Sequence, residues 1–256
     1  MTTVEITYVG GPTAVIELGG LRLLTDPTFD APGEYPAGSR KLVKTTGPAV
    51  PPGGIGPVDA VLLSHDQHPD NLDASGRAHL NGVPLVLSTP SAHARLDAPV
   101  RALSPWEHTE LPLPGGGALR VTAVPALHGP VGSEPLVGEV TGFVLTARSL
   151  PRIYVSGDNA SLDLVRRIAD REGPFDVAVL FAGAARTPLV PDAPLTLTSE
   201  QAAEAARILG ARHVVPLHFE HWAHFTQDGP TLTKAFAEAG LTERLRLLAP
   251  GASVRL

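Results

Sequence analysis

The chain has 256 residues, a formal net charge of −6, 43% hydrophobic residues, ten histidines and no cysteine. That length suits one domain (1–256) with a proper core, and the composition excludes wholesale disorder. The missing cysteine excludes disulfides, a thiolate nucleophile and Cys-ligated metal centres, and the mildly acidic balance excludes a general nucleic-acid binder.

The N-terminal stretch reads as a meander. Val4, Ile6 and Tyr8 alternate, Gly10-Gly11-Pro12 turns, residues 14–18 continue, Gly19-Gly20 turns, and residues 21–24 follow. Glycine turns between short apolar runs predict antiparallel pairing. From Pro27 to Pro57 the chain is rich in Pro and Gly and shows no sustained period. It is expected to be an irregular loop, either solvated or a substrate-facing flap carrying Arg40, Lys41 and Lys44.

Residues 60–63 form a short apolar run, as expected of a buried strand. Asp73 to Leu80 is a short predicted helix, 84–88 a buried strand and Ser91 to Leu96 another helix. Strands are expected within 111–124 around a Pro114–Gly117 turn, and again over 142–147 and 152–155. Leu162 to Arg171 reads as helix and 177–181 as buried strand. Glu200 to Leu209 is the clearest helix. Thr198 with Gln201 makes a capping box, Gly210 follows the last turn, and Ala202, Ala205, Ala206 and Leu209 share one face. A strand over 213–217 and a helix from Thr233 to Ala239 complete the pattern. Two halves, each running from strands to helices, with no linker and no repeat, predict one α/β domain.

Four polar clusters directly follow apolar strands: Ser64-His65-Asp66-Gln67-His68-Pro69-Asp70-Asn71, then Leu127-His128-Gly129, then Ser156-Gly157-Asp158-Asn159, then His218-Phe219-Glu220-His221-Trp222-Ala223-His224. Strand-end loops hold side chains rigidly, and imidazole with carboxylate is a ligand set for zinc, manganese or iron. His65 and His68 with Asp70 already suggest a metal. Alone, His128 reads as an ordinary polar contact and Asp158 as a turn aspartate. His79, His93, His108 and His213 read as surface or satisfied histidines. His221 and His224 read as substrate contacts or parts of a packed aromatic segment, with a ligand role as the alternative.

Taken together, SHDQHPDNLD, ALHGP, SGDN and PLHFEHWAHF resemble the metallo-β-lactamase fold superfamily. More narrowly they resemble its UlaG-like (ascorbate-phosphate lactonase-like) and N-acylphosphatidylethanolamine phospholipase D-like branch, as does LLTDP at Leu23 to Pro27. The resemblance implies a four-layer αββα sandwich, two mixed β-sheets with helices outside. The superfamily's first motif, His-x-His-x-Asp-His, is altered here. A one-residue insertion aligns His65, His68, Asp70 and Asn71 with it. Without the insertion, Asp66 replaces His65 as first ligand. By resemblance one ion would take His65, His68 and His128. A second would take Asp70, His218 and the weak ligand Asn71, and Asp158 would bridge them.

The implied cofactor is therefore one or two divalent ions, zinc first, with manganese or iron as alternatives, and the second position is the weaker. The implied function is metal-dependent hydrolysis of a small ester, lactone or phosphodiester by a metal-bound hydroxide. Asp70 and Asp158 are the candidate catalytic residues. Asp26 is either a turn cap or a residue that orients a ligand histidine. The competing reading is a non-catalytic or regulatory binding protein with a degraded site, motivated by Gln67 and Asn71. No Gly-x-Ser-x-Gly elbow supports serine hydrolysis. The expected partner is a small-molecule substrate, with no nucleic acid; a homo-oligomer stays open. No apolar run reaches the roughly 18 residues that cross a bilayer, so stable membrane insertion is not expected. The N-terminus shows no basic region followed by an apolar stretch, so a cytoplasmic location is expected.

Overall fold

The computed structural model describes residues 3–256 except Ser39. Strands β1 (Val4–Gly10), β2 (Thr13–Leu18) and β3 (Leu21–Thr25) form the expected antiparallel meander. From β3 the sheet continues in parallel through β6 (Ala60–Leu62), β7 (Val86–Ser88) and β8 (Val100–Ala102). The last strand, β15 (Ser253–Arg255), pairs with β1 and closes the other edge. The second sheet runs β14 (His213–Leu217), β13 (Val177–Phe181), β12 (Ile153–Val155), β11 (Thr141–Thr146), β10 (Ala118–Pro125) and β9 (His108–Pro112). It is antiparallel from β9 to β12 and parallel from β12 to β14.

Period-two alternation assigns the faces of the first sheet. Ile6, Tyr8, Ile16 and Leu23 join one core with Val121, Phe143 and Val179 of the second sheet. The intervening residues Val9, Val15, Leu24 and Val61 face the other way. They pack on Ile55 of α1 (Pro52–Ile55), Leu80 of α2 (Ala74–Leu80) and Ala92 of α3 (Pro90–Arg95). The second sheet is covered by Val165 and Ile168 of α5 (Leu162–Glu172), Ala202 and Ala206 of α6 (Ser199–Ile208), and Leu232 and Phe236 of α7 (Gly229–Glu238). The result is helix, sheet, sheet, helix, the four layers that the resemblance implied. The capping box of α6 forms as expected. The last helix starts earlier than expected because Asp228 and Thr231 make a second capping box. Among the described residues no helix is long and apolar enough to cross a membrane.

Residues 27–57 depart from expectation. They are not one irregular loop but contain a hairpin, β4 (Gly33–Ala37) with β5 (Arg40–Lys44), besides α1. The ribbon alternates between exposed and partly exposed residues, so no hydrophobic period marks it. Its far end is fixed by the buried Lys44, whose Nζ lies 3.0 Å from Asp73 Oδ2 and over the Trp222 ring. The backbone also pairs: Ala223 N–H donates to Val43 O, and Thr45 N–H to His221 O.

Candidate metal centre

Each candidate side chain stands just past a strand. His65, His68 and Asp70 follow β6, His128 follows β10, Asp158 follows β12, and His218 follows β14. The strands stop there because the backbone turns. At Gly157 (φ 55°) an added Cβ would lie 2.6 Å from Thr141 O and 2.8 Å from Ser64 Cβ, so only glycine fits beside Asp158. His218 and His221 adopt φ of 57° and 76°, a conformation costly for non-glycine residues and concentrated at functional sites.

Two sets of donors result. One atom each from His65, His68, His128 and Asp158 lie within 4.8 Å of one another, as do those of Asp70, Asp158 and His218. Asp158 belongs to both: Oδ2 is 3.6 Å from His128 Nε2, and Oδ1 is 3.4 Å from His218 Nε2. His65 Nε2 to His68 Nδ1 is 2.9 Å, and His218 Nε2 to Asp70 Oδ2 is 3.4 Å. Ligand bonds of about 2.0–2.1 Å in a tetrahedron put neighbouring donors about 3.3 Å apart. The observed separations straddle that edge. Asp158 Oδ2, Asp70 Oδ1 and His218 Nε2 are buried with no hydrogen-bond partner. Buried polar atoms are seldom left so, and cations held by the two donor sets would satisfy the Asp158 and His218 atoms. The residues fit a metal.

Neighbours aim the imidazoles. Ser64 Oγ lies 2.9 Å from His65 Nδ1, and His128 Nδ1 donates to Leu195 O at 2.8 Å, which leaves Nε2 of each ring facing the set. Asp26 caps the backbone rather than a ligand ring: its buried Oδ1 accepts from Ser64 N–H at 2.6 Å. Burial pushes the Asp26 carboxyl up to about 8, against the Ser64 N–H that favours its anion. Burial lowers His65 and His68, the latter to about 4, and so favours the neutral rings that ligate. At His218 burial also pulls down, but Asp158 and Asp70 outweigh it and hold the ring up at about 10. Burial alone would raise Asp70 and Asp158. The surrounding imidazoles, His224 and His218 at Asp70 and His218 and His128 at Asp158, hold both below the usual carboxylate range.

Other candidates separate here. Asp66, the alternative first ligand, is occupied by Arg95, whose Nε lies 3.0 Å from Oδ2. Asn71 Nδ2 donates to Asp158 Oδ1 at 3.1 Å, so its amide faces the shared carboxylate with its nitrogen. Gln67 Oε1 accepts from the Asp66 N–H. His221 packs against Gly10 and the Tyr8 ring. His79, His93, His108 and His213 join neither set; His93, for example, bonds Val100 O. His224 does reach the centre, with Nε2 3.0 Å from Asp70 Oδ2. No spacing rule singled it out from His221, because the intervening turn decides which ring comes back. Above the donors opens a narrow cleft, which Arg40, Leu42, Val137, Arg186 and Leu195 help to line.

A family model described as a beta-lactamase superfamily domain matches residues 21–219. A metal-dependent hydrolase of Rubrobacter xylanophilus is 27% identical, with 96% of this chain and 94% of that protein covered. One of Pyrococcus furiosus is 26% identical over 99% of this chain and 100% of the other. Among solved structures, isothiocyanate hydrolase from Delia radicum gut bacteria superposes with a TM-score of 0.82 at 21% identity, covering 98% of both chains. The four layers, the strand-end donors and the matched span agree, and the chain belongs to the beta-lactamase superfamily.

Proposed function

We propose that this protein is a metal-dependent hydrolase whose centre comprises His65, His68, Asp70, His128, Asp158 and His218, acting on a small ester, lactone or phosphodiester. The observation that carries this reading is the pair of donor sets joined at one buried carboxylate, Asp158. A divalent ion there supplies electrophilic polarisation and brings the pKa of bound water to about 7. Zinc suits three imidazoles and a carboxylate; manganese and iron accept the same donors.

The chain's own groups divide the remaining work. Asp70 is held through Oδ2 by His224, leaving Oδ1 free to accept a hydrogen bond from the attacking water and orient it. Asp158 fixes the spacing between the two positions. The first position has a full set of four donors. The second has three, with Asn71 as an amide beside them, so one ion is held tightly and the second weakly.

Elemental analysis of purified protein tests this directly. At least one equivalent of zinc, manganese or iron per chain is expected. Hydrolysis of a panel of aryl ester, lactone and phosphodiester probes should vanish in His128→Ala and Asp158→Ala. Protein that neither holds nor takes up any of these metals would sink the reading.

A further inference from the structure

We propose that the substrate is an anionic amphiphile. Arg40 and Arg186 bind its carboxylate or phosphate group, and its apolar chain leads out along a groove beside α4 (Glu134–Val137). The proposal rests on the hydrolytic reading of the centre and adds the substrate class.

The charged end comes from the cleft lining. Among the described residues neither guanidinium lies within 4.0 Å of a carboxylate. Arg40 Nη1 donates to the Thr187 hydroxyl, and Arg186 Nη1 reaches only Pro191 O at 3.4 Å. Asp70, committed to the donor sets, is the one carboxylate that lines this cleft. Two unpaired guanidiniums beside a reaction site are a fork for carboxylate or phosphate oxygens.

The apolar end comes from the surface. Val131, Leu136 and Leu189 are three of the five large apolar residues left exposed among the described residues, at 91%, 54% and 42%. They are not scattered. Arg40, His68 and Val137 line both the cleft and the adjoining groove. Leu136 and Leu189 continue that groove into the hollow where Val131 stands. The groove wall is tied to the centre, since Ser133 Oγ donates to His128 O at 2.8 Å. Glu134 also lines the groove and disfavours an anion there, while the Arg95 guanidinium in the same wall is already paired with Asp66, which leaves the Arg40 and Arg186 end for the charged group. The groove carries polar groups such as Gln67 as well, but Val137, Leu136, Leu189 and Val131 form a run of apolar side chains that begins at the reacting position. Such a run fits a chain attached to the substrate better than a flat contact between two copies.

The test is a series of straight-chain carboxylates from acetate to decanoate, with inorganic phosphate alongside. Binding is measured by calorimetry on metal-loaded and metal-stripped protein. Affinity is expected to rise about two- to fourfold per methylene and to persist without metal. It should fall at least about tenfold at every length in Arg40→Gln/Arg186→Gln. Leu136→Ser/Leu189→Ser should flatten the length dependence and leave acetate unchanged. Phosphate binding stronger than acetate, on the same arginines, assigns the charged group as phosphate, and the reverse assigns carboxylate. Equal affinity for acetate and decanoate overturns the proposal, as does indifference to the arginine pair or loss of all binding with the metal. A dimer that Leu136→Ser dissolves, with no length dependence, assigns the groove to a second copy and also overturns it. Absence of any metal in the protein defeats the hydrolytic reading separately, while the length series on stripped protein is still read on its own.

Discussion

His221 shows how one side chain's surroundings become a pH dependence. Burial, reinforced by the Lys44 ammonium, lowers its pKa from 6.5 to about 4. The unfolded chain therefore binds more protons than the folded one between those values, so stability is lost as pH falls from about 6.5 towards 4. Asparagine tolerates the positive φ and does not titrate. The melting temperature of His221→Asn should thus fall less between pH 7 and pH 4.5 than that of the parent; parallel curves would refute this. At this scale the sequence was informative wherever a donor directly follows an apolar run. His65, His68, Asp70, His128, Asp158 and His218 stand together in space as their motif order implied. Side chains whose position depends on a turn were not readable. His224 and His221 lie in one segment, yet only His224 returns to Asp70. The choice between His65 and Asp66 needed Arg95, far away in sequence.

The β4–β5 hairpin depends on one buried ion pair. Lys44 and Asp73 side chains are 1% and 0% exposed, and Asp73 also caps α2 through Gly76 N–H and accepts from Asp30 N–H. Removing the ammonium strands a buried carboxylate, which costs about 3–5 kcal/mol. Lys44→Met should lose stability of that order in urea unfolding and expose the hairpin to proteolysis. Adding Asp73→Asn should recover part of the loss. A single-variant cost under about 1 kcal/mol would show that water already shares the pair. Sequence patterns found the meander, the buried strands and α6, where period and capping agree. They missed the hairpin, whose strands bury neither face fully, and the three-residue edge strands β8 and β15, too short to show alternation.

For the molecule as a whole, the donors divide between the two sheets: His65, His68 and Asp70 come from the first, and His128, Asp158, His218 and His224 from the second. Ion binding should therefore stabilise the entire fold. At free metal about a thousandfold above Kd the gain is about 4 kcal/mol. For a chain of this size, that gain moves the melting temperature by roughly 10 °C. Calorimetry before and after chelation measures it, and an unchanged transition would place the ions outside the folding equilibrium. The layers were legible through the family resemblance rather than through alternation, since strands such as β13 bury consecutive residues; how the sheets face one another rests on contacts between distant segments. The division of donors has one more consequence. A polypeptide cut between β8 and β9 would yield two pieces, each holding part of the ligand set, while β15 of the second piece still has to find β1 of the first. Their reassembly would be conditional on the ion, and a bound metal would serve as the readout that both halves had found each other.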